Sequence, residues 1–394
     1  MVATDEIGVR IAHERKLRGL TQAQLAARIQ YSLSYLRKVE RGVETPSEGF
    51  KAAVVAALGV DPAQLSGAPY LATLEEDGPI DGLEELRVIL AEGSFVRGIE
   101  PPGHEELGAE LRSVQSALRS DRTRAALAQI PDLLRKLYGA LESSHEQGER
   151  SRIYKMLCET YIAAEGALCR LGFTSLLALV LDRLDWAAAQ ADDSGYVVRS
   201  MMKRARLLMA HGSLDVAMSL VERGLGMIVG GGEAEQVLRG YGHLRGAIVA
   251  ARDRQLETAT DHIREARRIA QLIGHESDIY TTEFGPGNVE IHACAVELEA
   301  GDPGKAARQG AMLYLPADVA APRAGHHWQD NARAWLMTGK PDEALKALNK
   351  ARSIAPQQTK LHPSVRDTLY GIAAQERFRN DSLGNFARWV GVTL

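Results

Sequence analysis

The sequence predicts an all-α protein in two parts, a small N-terminal helical module and a long helical body, and three observations carry that expectation. Ala, Leu, Glu, Gln and Arg abound while aromatic residues make up only 5% of the 394, which favours helix over strand at nearly every position. Short apolar stripes bounded by capping residues fill the first 66 positions. Behind them, small residues recur at intervals that suit stacked helix pairs. A chain of this length exceeds one ordinary core, and a hydrophobic content of 45% lets both parts pack.

Composition also excludes function classes. The three cysteines, Cys158, Cys169 and Cys294, match neither a zinc spacing nor a disulfide framework. No metal or cofactor is therefore expected. No apolar run approaches the ~20 residues of a membrane span, and the N-terminus lacks a basic stretch followed by an apolar one, so a cytoplasmic protein with no membrane partner is expected. Gly230-Gly231-Gly232 lacks the Lys-Ser/Thr of a phosphate loop, and His326-His327 has no Glu-containing metal motif around it, so no enzyme is expected. Residues 1–66 carry 9 Lys+Arg against 7 Asp+Glu, a net +2 that leaves −6 on the remainder. That asymmetry suits a head that meets an anionic partner on an acidic body.

Residues 6–66 read as five short helices. Ile7, Ile11 and Leu17 give the first a partial apolar stripe, and Gly19 ends it. Thr21 opens the second, with Gln24 three residues on completing a capping box, and Leu25 and Ile29 facing inward. Ser32 caps a third helix running to about Arg41, with Leu36 and Val39 buried and Gly42 closing it. Phe50, Val54 and Leu58 make one face of a fourth, and Asp61-Pro62 starts a last short turn anchored by Leu65. Two helices joined by a three- or four-residue turn describe a helix-turn-helix, but equally many small bundles.

The string Arg15, Leu20-Thr21-Gln22, Leu25-Ala26, Ser32, Leu36, Val39-Glu40-Arg41-Gly42 and Pro46-Ser47 resembles the phage-repressor (Cro/repressor, or xenobiotic-response-element) helix-turn-helix family over about 60 residues. The resemblance implies double-stranded DNA as partner. Gln22 would hold a phosphate with the dipole of its helix, while Ser32, Leu33, Ser34, Arg37 and Lys38 would lie in the major groove beside Arg41. Arg37 and Lys38 are the cationic donors suited to guanine edges or phosphates. Arg15 and Glu40 match a structural ion pair of the family. Gln30 stands where the family usually has glycine, so the turn is expected to be strained in backbone or slightly lengthened.

Residues 67–82 mix Gly, Pro and acids without helical periodicity and form the expected hinge; residues 83–394 form the body. Within it Trp328, Ala332, Trp335, Ala344, Leu348, Ala351 and Pro356 fit the tetratricopeptide spacing at all seven positions. Central alanines align upstream at Ala306, Ala259, Ala217 and Ala178, at intervals of 38, 47, 42 and 39 residues. These exceed the standard ~34, so helices or loops are extended in what should be a tetratricopeptide-like right-handed α-superhelix. The segments Phe284 to His292, Leu298 to Ala306 and Leu361 to Arg388 resemble actinobacterial regulators that join such a head to such repeats.

Counting from the central alanines places Arg199, Arg206, Tyr241, Arg252, Asn288, Glu299, His326, Gln329 and Arg333 on the concave groove, with Asn288 and Arg333 the first choices for ligand contact. Amides can clamp a peptide backbone and arginines suit carboxylate or phosphate. Similar Gram-positive regulators bind short signalling peptides in this way, so the resemblance implies a peptide or small-molecule ligand, as in quorum sensing. The function expected is a homodimeric transcription regulator on a near-palindromic operator. The alternative is a protein-interaction scaffold with the head as a tether.

Overall fold

The computed structural model describes residues 6–375 and 381–394. Among these every regular element is helical, and the only strand-like feature is an isolated antiparallel bridge between Ser277 and Phe284.

The head comprises α1 (Ile7–Leu17), α2 (Gln22–Ile29), α3 (Leu33–Glu40), α4 (Glu48–Leu58) and α5 (Pro62–Ser66). Its core is Ile11, Leu25, Leu36, Phe50, Val54 and Leu65, each nearly inaccessible to solvent. The caps form where the side chains demand them. Thr21 and Gln24 close a reciprocal box on α2, Ser32 accepts the amide of Tyr35, and Asp61 and Gln64 close a second box behind Pro62. Leu17 is not part of the apolar stripe: it is 67% exposed, because α1 ends there and turns its last side chain outward. Gln30 takes the strained alternative, with φ 57° and ψ 38°, the left-handed conformation in which glycine would pay no steric penalty.

Residues 67–82 depart from an aperiodic hinge. They carry a short helix, α6 (Leu71–Glu76), with Leu74 fully buried. Arg124 donates to the carbonyls of Leu74 at 3.0 Å, Gly78 and Pro79, and Lys360 pairs with Asp77 at 2.9 Å. The segment is therefore fastened to the body along its length, and the aperiodic composition reflects irregular packing.

The body continues through α7 (Leu83–Glu92), α8 (His104–Arg119), α9 (Thr123–Ser143) and α10 (Gln147–Leu171). Helix pairs follow: α10 with α11 (Leu177–Gln190), α12 (Ser194–Ala210) with α13 (Leu214–Met227), α14 (Glu233–Arg252) with α15 (Leu256–Ile273), α16 (Pro286–Glu299) with α17 (Pro303–Met312), and α18 (Ala321–Met337) with α19 (Pro341–Ile354). The end is α20 (Pro356–Leu361), α21 (Pro363–Ala374) and α22 (Asp381–Val390). From α8 onward each helix packs on its sequence neighbours, and α10, α12, α14, α16 and α18 form one series and α11, α13, α15, α17 and α19 the other. Ala217, Ala259, Ala306 and Ala344 each occupy the fourth residue of a helix in the second series and are buried, which lets the paired helices approach closely. Ala178 does not. It lies exposed near the start of α11, where a preceding turn of 3-10 helix (Thr174–Leu176) shifts the register and Leu177 and Val180 face inward instead.

The array curls until its end meets its beginning. Asp121, in the turn between α8 and α9, accepts the backbone amides of Gln357 at 2.6 Å and Gln358 at 3.1 Å at the start of α20. The side chain of Gln357 in turn accepts the Arg124 amide at 3.3 Å, and Arg119 pairs with Asp278 at 3.3 Å. The first series of helices thereby surrounds a common interior.

Candidate nucleic-acid interface and interior channel

The head presents α3 to solvent. Ser32, Ser34, Arg37, Lys38 and Arg41 are exposed, while Leu36 and Val39 anchor the opposite face of the helix. Leu33 is half-buried against the core, so only its outer edge is available. Arg41 Nε folds back on the Arg37 carbonyl at 3.2 Å, and Lys38 lies 3.7 Å from Glu44. Gln22 is placed differently from a free phosphate ligand: its amide donates to Glu40 Oε2 at 2.7 Å. The same carboxylate takes Arg15 in a two-point pair at 2.6 and 2.9 Å, so Glu40 ties α1, α2 and α3 together.

The opposite side of the head sits on the body. At one rim of the ring α4 lies across the C-terminal ends of α12, α14 and α16 and against Arg333 of α18. The amide of Gly49 donates to Glu299 Oε2 at 3.2 Å, Arg333 bridges Glu48 and Glu299 at 3.2 Å each, and Lys51 reaches Asp367 at 2.8 Å. Arg254 stacks 4.0 Å from the Tyr31 ring and donates to the carbonyl of Gln30 at 3.1 Å. Gly212, after α12, is a close-approach glycine: with φ 76°, a Cβ there would fall 2.5 Å from the Ala52 carbonyl oxygen. Burial works to raise the pKa of Glu48, but Lys51, Arg333 and Arg252 outweigh it and hold the carboxyl well below the usual range.

Three of the residues expected on a ligand groove, Arg333, Arg252 and Glu299, are thus at this seam. Arg333 and Glu299 are consumed in holding the head, and Arg252 has its backbone against Gly49. Two others serve the body itself. Asn288 is fully buried, its amide donating to the Glu283 carbonyl at 2.5 Å, and Gln329 donates to Thr359 at 3.1 Å. His326 lies beside His362, ring centroids 5.1 Å apart, and 3.6 Å from Asp330. These placements share one cause: closure of the ring and seating of the head cover part of the inner face of the helices.

Arg199, Arg206 and Tyr241 do converge on the interior. Arg199 donates to the Tyr241 hydroxyl at 2.8 Å and to the carbonyls of Tyr280 and Thr281, and Arg245 donates to the same hydroxyl at 3.1 Å. Burial raises the Tyr241 pKa, but Arg199, Arg245 and Lys203 outweigh it and draw it down to about 6. Glu165, itself buried, holds both Lys203 and Arg206. Arg323, at the start of α18, lies 3.6 Å from Glu283. Lys203, Arg245, Arg323 and Glu165 were missed in sequence, although Arg199, Lys203 and Arg206 share one helical face and Arg245 stands one turn beyond Tyr241. His292 is buried and faces the same interior, near Arg245 and Arg323.

Among the described residues no group of His, Cys, Asp or Glu is arranged to hold a metal ion, and no helix is long and apolar enough to cross a membrane. A family of helix-turn-helix domains matches residues 6–66, the five helices of the head. The chain therefore carries an N-terminal helix-turn-helix DNA-binding domain followed by a long helical repeat region. No curated protein matches the chain. Among solved structures it is similar to Bacillus thuringiensis PlcR in complex with the peptide PapR7 and DNA, at 15% identity, over 96% of this chain and 100% of that one, with a TM-score of 0.33.

Proposed function

We propose that the protein is a non-enzymatic, sequence-specific DNA-binding transcription regulator that acts as a homodimer on a near-palindromic operator, with a ligand in the repeat domain modulating DNA binding. The observation that carries the reading is the two-sided head: α3 offers Ser32, Ser34, Arg37, Lys38 and Arg41 to solvent while α4 is fastened to the rim of the ring. A head held in this way has its reading helix aimed by the body. Arg206 and Arg245 stand on α12 and α14, about one to two turns before the helix ends that meet α4. Arg199, Arg206 and Tyr241 remain the ligand candidates of the original groove, and a short peptide or small molecule is the ligand this reading takes. The scaffold alternative leaves the exposed cationic face of α3 without a task.

Fluorescence anisotropy of the full chain tests the reading, with DNA from upstream of its own gene and random DNA across a salt series. Selective binding of ~10³-fold or more is expected. In the Arg37→Ala/Lys38→Ala variant, both sites being exposed, selectivity falls while folding is retained, and the salt slope drops by about 2 if both contact phosphates. Equal, weak binding of both DNAs, indifferent to the substitutions, would sink it.

A further inference from the structure

Beyond the head seam and the helix pairs, the feature without a structural account is the surplus of guanidinium groups in the interior. Arg206 is deeply surrounded by protein, yet 34% of its side chain meets solvent, and Arg323 is 28% accessible in the same surroundings. Groups enclosed by neighbours and still partly accessible border a solvent-accessible channel, not a packed core. Arg170, Arg206, Arg245 and Arg323 come from α10, α12, α14 and α18, and the Lys203 ammonium joins them; the anionic groups beside these five cations are Glu165, Glu283, Asp121 next to Arg170 and the Tyr241 hydroxyl. Glu165 is already shared by Lys203 and Arg206.

Two of the arginines are under-partnered. Arg245 has as its hydrogen-bond partner the Tyr241 hydroxyl, which it shares with Arg199, and its buried Nε meets no acceptor. Arg323 holds Glu283 only at 3.6 Å, and its Nε is likewise buried without an acceptor. Arg206 and Arg323 both repel the Arg245 guanidinium, which burial already disfavours. Like charges collected in a channel of reduced dielectric, with donors left over, are stable only at a cost that an anion removes.

We infer that this channel is a binding site for an organic anion whose carboxylate or phosphate is held by Arg245 and Arg323, with Arg206 reinforcing the field. The planar fork of arginine supplies two parallel donors to either group, and two such forks facing one channel select for an anion with more than one oxygen pair. The inference deepens the ligand-responsive reading by naming the ligand's chemistry. Its test uses no DNA, so the two can fail separately.

The test is thermal unfolding of the full chain with citrate, inorganic pyrophosphate or sodium chloride at matched ionic strength. Citrate, pyrophosphate or both should raise Tm by about 2 °C at tenfold excess over Kd, and which of them does so separates carboxylate from phosphate. Arg245→Gln, Arg323→Gln and the double variant should lose the anion-dependent shift. Arg323→Gln, which relieves repulsion of Arg245 and gives up only a 3.6 Å pair, should also melt in sodium chloride at or above the wild-type temperature. Lower melting of Arg323→Gln in sodium chloride, a shift that survives in the double variant, or no shift with either anion in the wild type would overturn the inference.

Discussion

Replacing Arg333 with alanine should release the head from the ring without unfolding either. Arg333 is only 3% exposed and stands between Glu48 and Glu299, with Asp330 at 3.7 Å on its own helix. Its loss leaves Glu299, 5% exposed, with the amide of Gly49 as its contact across the seam. Removing one partner of a buried pair costs ~3–5 kcal/mol when the other stays dry. Separation of the head lets water reach Glu299, and Lys51 still holds Asp367, so about 3 kcal/mol is the working figure, a shift of about 10²-fold in the docked-to-undocked ratio. Hydrogen exchange reads this at single amides. Gly49 should exchange about 10²-fold faster in the variant. The amides of Leu25 and Leu36, inside the head's own helices, should keep their protection. Unchanged protection at Gly49 would refute the reasoning, as would equal acceleration at Leu25 and Leu36, which would mean that the head had unfolded.

Three further outcomes follow from the same geometry. Gly212→Ala places a Cβ at φ 76° and 2.5 Å from the Ala52 carbonyl oxygen; it should cost about 1–3 kcal/mol and speed Gly49 exchange, whereas Gly274→Ala, at the same φ of 76° with open space around it, should leave Gly49 unchanged. Asp121→Ala removes the acceptor for two α20 amides and should lower stability by about 1–3 kcal/mol, read as a lower denaturant midpoint. Tyr241 titrates near 6 in the folded chain against 10.0 free, drawn down by Arg199 and Lys203 on α12 and Arg245 on α14. The stability it adds is complete above about pH 10 and lost as pH falls through about 6. Between pH 6 and 8 the wild type should therefore gain stability with pH more steeply than Tyr241→Phe, and parallel curves would exclude an ionised phenol.

Local chemistry was legible in the sequence, and distant chemistry was not. Thr21 with Gln24, Ser32, and Asp61 with Pro62 announce helix starts because each satisfies amides within three residues of itself. The last repeat was readable because Trp328 to Pro356 keeps the standard spacing. Ala178 misled because a turn of 3-10 helix consumes residues without a mark in the apolar pattern. Leu74 and α6 were hidden because so short a helix has too few turns to show a period. The head seam lay out of reach altogether. Lys51 and Asp367 are 316 residues apart, and nothing near either position names the other. The arginine surplus stood in between: one helical face of α12 displays Arg199, Lys203 and Arg206, yet only the curl of the ring brings Arg323 toward them.

The joint between Asp121 and α20 changes the kind of object this array is. An open stack of repeats has two ends, each needing a polar cap, and its stability grows unit by unit, so natural arrays lengthen or shorten by whole repeats. Here the first and last units serve as one another's caps. Excising any helix pair would part the joint on the far side of the circle, and inserting one would leave no place for it to close. The number of repeats is therefore set by circumference.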